Sequence, residues 1–229
     1  MATLSDKKNF ISYLKAFNIF DDFAKDELET LIEMLRIEDF ERRETIVSPY
    51  NPKRRVYFML KGKVKLVQSD KEGHEIILDI LGSGEIFGLL AHPSQPFVVT
   101  LDDCLVGSMD ANDFHTLILE KPKFCYAINA YLKKRLVRIE HRLNELVFQD
   151  ISSRIARLLL RLSNEYPIKR TCGLGIDIRL TQKEVGDLVG ASRESTSAVL
   201  NRFRQKGWID YHHRHICLHN MNVLKKLAA

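Results

Sequence analysis

Hydrophobic positions change their spacing twice along the chain. Before about residue 37, apolar residues such as Leu28, Leu31 and Leu35 recur every three or four positions, which predicts helices. Over residues 37–110 the spacing becomes two, in short β-branched and aromatic runs that Pro, Gly, Asn and Asp interrupt. This pattern predicts an antiparallel β-domain. After residue 110 the helical spacing returns.

The helical spacing predicts a short helix over residues 111–120 and a long one from Pro122 to about Phe148. Apolar residues of the long helix repeat at intervals of 4, 3, 4 and 3, which is a heptad seam. One such helix buries little alone, and packing against its copy across a two-fold axis would bury the seam. The alternative is burial on the chain's own β-domain. We expect a homodimer through Leu132, Leu136, Ile139, Leu143 and Leu146.

The stretch Thr181–Ile209 predicts two short helices joined by a tight turn. Thr181 and Glu184 form a capping box at the start of the first helix, and Gly190 ends that helix. Ser192 caps the second helix. The apolar residues of both helices share one face, so the outward-facing residues are Arg193, Glu194, Ser197, Asn201 and Arg204.

Two helices in this arrangement are typical of a helix-turn-helix, whose second helix enters the DNA major groove. An αα-hairpin of a purely helical domain would have a similar pattern. Arg193 can pair with guanine O6 and N7, Glu194 can accept from cytosine N4, and Ser197 is a permissive partner. The run that follows alternates around a turn, with Ile216 and Leu218 on one side, and so predicts a hairpin, or wing.

The segment between the long helix and the helix-turn-helix predicts a hinge and one more helix. Asp150 and the two serines after it mark the hinge. In the following helix Arg154, Arg157 and Arg161 are expected to face outward. Residues 169–175 are predicted to be a loop and residues 176–180 a short strand.

Charge is unevenly distributed along the 229 residues, whose formal net charge is +5. Residues 150–229 hold 14 Lys and Arg against 7 Asp and Glu, whereas residues 1–149 hold 21 against 23. A charge of +7 beside a charge of −2 is typical of a polyanion-binding module joined to a sensor.

Other features bear on the cell compartment. No apolar run is long enough to span a bilayer and there is no signal peptide, so a cytoplasmic protein is expected. Cys104, Cys125, Cys172 and Cys217 show no CxxC spacing, which indicates a reducing compartment and argues against a zinc ribbon.

The stretch Thr181–Leu218 resembles the DNA-binding domain of the CRP/FNR family of bacterial transcription regulators, including the Ser-Arg-Glu start of the second helix. The resemblance extends more loosely over nearly the whole chain. It implies an α+β fold with three parts. Residues 1–121 would be a cyclic-nucleotide-binding-type antiparallel β-roll (jelly roll) with N-terminal helices, residues 122–149 a dimerisation helix, and residues 150–229 a winged helix-turn-helix.

The resemblance also implies DNA contacts. Arg193 and Glu194 match the family's base-reading positions, and Ser197 matches a position where some branches contact a base. Ala198 stands where many relatives carry Arg, so one guanine contact is lost. The partner would be double-stranded DNA with a near-palindromic site, and activation would require RNA polymerase as a second partner. Candidates for phosphate contacts, which set affinity but not sequence, are Thr181, Gln182, Ser192 and Arg202.

The family's cyclic-AMP pocket uses a glutamate for the ribose and an arginine for the phosphate. Glu85 lies in a similar Gly-Glu turn, but Ser94 stands where the arginine is expected, followed by Gln95. No arginine lies between Arg55 and Arg135. Because a buried phosphate without a cation is poorly paired, we expect no cyclic-AMP binding in the usual mode. An effector of another kind would act by rotating the DNA-binding domains about residues 148–152.

Several other sensing modes stay open, and no cofactor is implied. An iron–sulfur cluster needs cysteines that precede Cys104. The haem-ligating turn of one branch carries Cys and His where this chain has Gly88 and Leu90. A 2-oxoglutarate sensor needs a cation, which Arg135 or Arg138 of the long helix would have to supply.

Local side chains suggest two further possibilities. Cys104 and Cys125 are candidates for a redox pair, although buried free cysteines are commoner. His213 and His215 are candidates for a metal pair, although wing residues near phosphates are a simpler interpretation. The protein could also have no effector.

Two other classes of protein fit the sequence less well. A cyclic-nucleotide-type regulatory subunit would keep the phosphate arginine and lack the winged helix-turn-helix. An enzyme would need a nucleophile–base spacing or a phosphate loop, and the sequence shows neither.

Overall fold

The computed structural model describes residues 10–51, 53–88, 96–170, 173–212 and 215–228. The chain divides into two compact units, Met1–Val137 and Arg138–Ala229. The first unit is rich in antiparallel strands and the second carries the paired short helices. The predicted α+β class is therefore confirmed.

The first unit begins with short helical segments. Residues 10–14 are helical, Asn18–Phe20 form a 3₁₀ turn, and α1 spans Lys25–Met34. The apolar face predicted for α1 is confirmed, because Leu28, Leu31 and Ile32 are buried.

Among the residues that the structure describes, eight strands follow and form two four-stranded sheets, with the orders β1-β8-β3-β6 and β2-β7-β4-β5. All pairings in these sheets are antiparallel, as the alternating pattern predicts. The strands are β1 (Arg36–Phe40), β2 (Thr45–Val47), β3 (Arg55–Lys61), β4 (Val64–Ser69), β5 (Glu75–Leu81), β6 (Ile86–Phe87), β7 (Phe97–Thr100) and β8 (Cys104–Asp110).

Two apolar cores stabilise this unit. One lies inside the roll and includes Tyr57 and Phe87, whose rings stack with centroids 4.9 Å apart. The other joins the N-terminal helices to the roll and includes Phe17, Phe58 and Phe124. Strand β3 serves both cores because its alternate side chains point to opposite sides of the sheet.

Two helices follow the roll: α2 (Ala111–Glu120) and α3 (Pro122–Phe148). The start of α3 is buried at Phe124, Ala127, Ile128 and Tyr131. The five seam residues are not buried in the single chain. Their exposed fractions are 42%, 57%, 57%, 61% and 41% for Leu132, Leu136, Ile139, Leu143 and Leu146.

The second unit contains four helices and four strands among its described residues. Its sheet has the order β11-β12-β10-β9. The elements are α4 (Ile151–Glu165), β9 (Pro167–Arg170), β10 (Gly173–Ile176), α5 (Gln182–Val189), α6 (Arg193–Gln205), β11 (Ile209–His212), β12 (His215–Leu218) and α7 (Met221–Ala228).

Two local expectations for the second unit are wrong. The loop predicted over residues 169–175 contains strands β9 and β10, and the strand predicted over residues 176–180 ends at Ile176. Partner strands explain this difference, because β10 pairs with both β9 and β12. Strand β12, which pairs with β10 and β11, is buried along its whole length.

The arginines of α4 also differ from expectation. Arg154 and Arg157 do not simply face solvent, because each donates to a backbone carbonyl, of Val189 and Ala228 respectively. Arg161 pairs with Glu165 one turn away.

Among the described residues, no helix combines the length and the apolar composition that a membrane span requires.

Candidate nucleic-acid interface

The helix pair of the second unit is built by local capping. Thr181 Oγ1 accepts from Glu184 N at 3.1 Å, and Thr181 N donates to Glu184 Oε2 at 2.9 Å. This reciprocal box fixes the start of α5, as its sequence predicts. At the start of α6, Ser192 Oγ accepts from Ser195 N at 3.1 Å.

The turn between the two helices depends on two glycines. Gly190 adopts φ +64°, a left-handed conformation that costs glycine little. Gly186 lets α5 approach the turn closely, since a Cβ there would lie 2.7 Å from the Ala191 carbonyl oxygen. Because this approach leaves no room for a side chain, α5 and α6 are held together as one rigid pair.

The residues proposed to read bases lie at the start of α6. Arg193 and Glu194 are exposed in its first turn, and Ser197 is partly exposed one turn later. The opposite face is buried through Val199, Leu200 and Phe203. The fold therefore presents the N-terminal end of α6 to solvent, which is the end that enters the major groove in a helix-turn-helix.

The proposed phosphate contacts differ in how much their side chains are already engaged. Thr181 and Ser192 are exposed caps, and Gln182 is partly exposed in the first turn of α5. Arg202 donates through Nη2 to Ser152 Oγ at the start of α4. The Arg202 side chain is thus already part of a contact within the second unit.

Other cations of this unit also have partners. Arg204 Nε lies 3.2 Å from Asp210 Oδ1, and the Lys206 ammonium lies 4.7 Å from the centre of the Trp208 ring. These contacts fix the junction between α6 and β11. The sequence did not predict these contacts, because they depend on the position of the wing relative to the end of α6.

In the first unit, the candidate pocket glutamate is bonded to the long helix. Tyr131 Oη lies 2.9 Å from Glu85 Oε2 and 2.7 Å from the Ile86 carbonyl oxygen, and it accepts from Ile86 N at 3.0 Å. Arg135 Nη1 donates to the same carbonyl at 3.2 Å. Burial raises the pKa of Tyr131 well above its ordinary value, and the Glu85 charge adds to this effect.

Ser94 and Gln95, the other two residues proposed for an effector pocket, lie outside the described residues, as does Leu90. The Tyr131 contact was not found from sequence. In the sequence Tyr131 is only an aromatic residue next to the seam residue Leu132, and such a residue is too common in helices to indicate a contact.

A further candidate cavity of about 590 Å³ lies beside β1 and β8. Charged side chains such as Asp39, Arg42 and Lys61 line it.

Cys104 and Cys125 are both free thiols. Cys104 is buried in the roll, and its Sγ lies 3.2 Å from the Asp102 carbonyl oxygen. Burial, with a smaller contribution from the Asp102 charge, raises the pKa of Cys104 to about 12. Cys125 is only partly buried. Cys217 is fully buried in β12, and Cys172 lies outside the described residues.

The suggested pair of wing histidines is not tested by the described part of the chain. His213 lies outside it, and His215 is buried with Nδ1 3.0 Å from the Ile176 carbonyl oxygen.

Elsewhere among the described residues, Asp70, Glu72 and His74 bring metal-ligating atoms within 4.8 Å of one another. They lie in the exposed turn between β4 and β5. There Asp70 Oδ1 accepts from the amides of Glu72 and His74 at 2.8 and 2.9 Å. These bonds close the hairpin turn.

Comparison with known proteins supports this description of both units. A family model described as a Crp-like helix-turn-helix domain matches residues 153–227, and one described as a cyclic nucleotide-binding domain matches residues 37–121.

Several curated relatives match most of the chain. The CRP-like cAMP-activated global transcriptional regulator of Mycobacterium tuberculosis is 29% identical over 214 residues, covering 92% of this chain and 96% of that protein. The global nitrogen regulator of a Nostoc species is 28% identical over 196 residues, covering 83% and 88%. Both relatives are named as global regulators, and the first as a transcriptional one. The structure of FixK2 from Bradyrhizobium japonicum has the same fold, with a TM-score of 0.76, 20% identity and coverage of 85% and 98%.

Proposed function

The chain belongs to the CRP/FNR family of transcription regulators, and we propose that it acts as a homodimer on a near-palindromic DNA site without control by cyclic AMP. In this proposal residues 1–121 are the sensor, residues 122–149 form the dimer and residues 150–229 bind DNA. The protein would work in the bacterial cytoplasm, where the DNA is. Activation would involve a contact with RNA polymerase.

The observation that carries the DNA-reading part is the exposure of Arg193 and Glu194 at the capped start of α6. An exposed guanidinium next to an exposed carboxylate offers a donor fork for guanine and an acceptor for cytosine. The rest of α6 is held by its buried face, so the backbone that carries these two side chains has a defined position. Two copies would place two such helices in successive major grooves, about 10 base pairs apart.

The dimer is supported by the exposure of the seam. Five apolar side chains at heptad spacing lie exposed along one side of α3, and a contiguous apolar stripe of this kind is typical of an interaction surface. A second copy of the same helix fits because its heptad spacing is identical.

Independence from cyclic AMP is supported by the sequence of the phosphate turn and by Glu85. The segment contains Ser94 and Gln95 but no arginine, so the cyclic phosphate would lack its cation. The Glu85 carboxylate is bonded to Tyr131, and a ribose hydroxyl would compete with that bond. The Mycobacterium relative is named as cAMP-activated, which makes it a useful positive control.

The DNA-reading part is tested by selecting bound sequences from a genomic library with the full-length protein at several salt concentrations. We expect a near-palindromic site and a steep loss of affinity with salt. Glu194→Ala should lose discrimination at one C·G pair per half-site, worth about 1–3 kcal/mol. Gln205→Ala, at the far end of α6, serves as the matched control. Equal binding to selected and scrambled DNA by the wild type would contradict the proposal.

The effector part is tested by titrating cyclic AMP into the protein on its selected site. DNA affinity should not change, whereas that of the Mycobacterium relative should rise in the same assay. A saturable increase for this chain would contradict the proposal.

A further inference from the structure

The C-terminal end of α5 contacts three side chains from outside the helix pair. Arg142 Nη2 donates to the Leu188 carbonyl oxygen at 2.8 Å, and Arg154 Nη1 donates to the Val189 carbonyl oxygen at 2.7 Å. A Cβ placed on Gly190 would lie 2.9 Å from Leu146 Cδ2, so the leucine packs directly on the turn. We name Arg142, Leu146 and Arg154 the α5 clamp.

The two arginine bonds suit this end of a helix. The last carbonyls of a helix have no partner within it, and the helix dipole places partial negative charge there. A guanidinium supplies both a donor and a positive charge, and bonds to charged donors are stronger than neutral ones. Two arginines on consecutive carbonyls therefore hold the end of α5 more firmly than an ordinary cap.

The three clamp residues come from both sides of the short connection at residues 149–150, which lies inside the hinge predicted over residues 148–152. Arg142 and Leu146 belong to the last turns of α3, whereas Arg154 belongs to α4, which follows the connection. The Arg154 bond thus holds α5 to its own domain. The Arg142 bond and the Leu146 contact are different, since they hold α5 to the end of the long helix.

A contact that holds α5 in position also holds α6 in position. The two helices are joined by a turn of which Gly190 is part, and Gly186 brings α5 against the Ala191 carbonyl. A rotation of the helix pair about residues 148–152 would therefore separate the Leu188 carbonyl from Arg142. It would leave the bond between Arg154 and Val189 in place.

We propose that Arg142 is a positioning residue that sets the orientation of the recognition helix relative to the dimer helix. Leu146 links this contact to the seam, because the same side chain belongs to the heptad stripe and packs on Gly190. Formation of the dimer and placement of α6 are thereby coupled. This inference rests on the proposed function of a dimer that reads two half-sites.

A merely structural arginine would contribute to stability, and its loss would weaken binding to every DNA equally. A positioning residue has a different signature, because it sets the distance and angle between the two recognition helices. Its loss should make the dimer tolerant of altered half-site spacing. The ratio of affinities for normally spaced and altered sites therefore separates the two roles.

The test compares full-length wild type, Arg142→Ala, Arg142→Lys and His141→Ala on the selected DNA and on versions with one base pair added or removed between half-sites. His141 is an exposed neighbour on the same turn of α3, so its variant controls for helix surface changes. Melting curves and sedimentation check that each variant is a folded dimer.

We expect Arg142→Ala to bind the normal site about tenfold more weakly, which is the effect of losing one charge-assisted bond. Its preference for normal over altered spacing should fall several-fold, and Arg142→Lys should recover part of it. His141→Ala should match the wild type.

An unchanged spacing preference in a folded Arg142→Ala dimer would overturn the inference. If Arg142→Ala does not fold, an unchanged preference in Arg142→Lys, whose ammonium cannot reproduce the guanidinium geometry, overturns it instead. Failure of the wild type to select any DNA sequence would refute the proposed function, which is a separate result.

Discussion

The hydroxyl of Tyr131 and the carboxylate of Glu85 lie 2.9 Å apart, Oη to Oε2, and join the long helix to the turn before β6. Tyr131 is 6% exposed, so this contact is made away from bulk water. The same hydroxyl accepts from the Ile86 amide at 3.0 Å. Glu85, which the resemblance aligns with the family's ribose-binding glutamate, is here bonded to α3 through this hydroxyl.

Removal of the Tyr131 hydroxyl should destabilise the first unit. Tyr131→Phe keeps the ring but leaves the buried Ile86 amide without its acceptor, and an unpaired buried polar group costs about 1–3 kcal/mol. Urea unfolding of the wild type and the variant measures the loss. Lys134→Gln, on the exposed side of the same helix, is the matched control. Equal midpoints for Tyr131→Phe and the wild type would show that the hydroxyl contributes nothing.

A charge placed in the seam should separate the dimer. Leu136 is 57% exposed in the single chain, and in a paired helix its side chain would be buried opposite its copy. Leu136→Asp would bury two like charges across the two-fold axis, at a cost of several kcal/mol. Sedimentation should show a monomer that retains its helical content.

The control for the seam is Lys134→Asp, which introduces the same charge on the polar side of α3. It should remain dimeric. A dimer of unchanged affinity in Leu136→Asp would show that subunits associate through another surface.

The two free cysteines should differ in reactivity. Only the thiolate is nucleophilic, and a pKa of about 12 leaves Cys104 almost wholly protonated at neutral pH. Cys125 is partly exposed, and Asn129 Nδ2 lies 3.4 Å from its Sγ. Iodoacetamide at pH 7 should therefore alkylate Cys125 first, as peptide mass spectrometry can measure. Both should react after denaturation. Rapid labelling of native Cys104 would contradict its burial.

Asp150 should make the stability of α4 depend on pH. Its carboxylate caps α4 by accepting from Ser153 N at 2.8 Å, and this bond lowers the pKa of Asp150 below its ordinary value of 3.8. Because the pKa is lower in the folded state, its stabilising effect is present above that ordinary value. It is lost as the pH falls through the folded-state pKa.

The comparison for Asp150 is between two variants. Asp150→Ala should cost about 1 kcal/mol near neutral pH, as loss of an N-cap does, and less in acid. Asp150→Asn keeps the acceptor oxygen but not the charge, so it should cost less at neutral pH. Melting temperatures from pH 2.5 to pH 7 provide the measurement. A gap between wild type and Asp150→Ala that is constant over this range would contradict the role of the charge.

The sequence by itself determined the elements whose signals are local. The capping box of Thr181 and Glu184, the left-handed turn at Gly190 and the start of α3 at Pro122 all depend on residues within a few positions of one another. The heptad spacing likewise predicted which side of α3 stays apolar, and period-two alternation predicted the antiparallel roll. These features can be predicted from the sequence because they depend on residues that are close to one another along the chain.

Only the tertiary structure decided which distant groups meet. Strand β10 has a Gly-rich sequence with little strand propensity of its own, and it forms because β12 and β9 supply partners on its two sides. Arg142 and Leu188, 46 positions apart, meet because α5 packs at the end of α3. Glu85 is bonded to Tyr131 because the first turns of α3 pack against the roll. A polar side chain satisfies its hydrogen bonds with whatever the packed core brings near it, and chain packing, not sequence spacing, selects that partner.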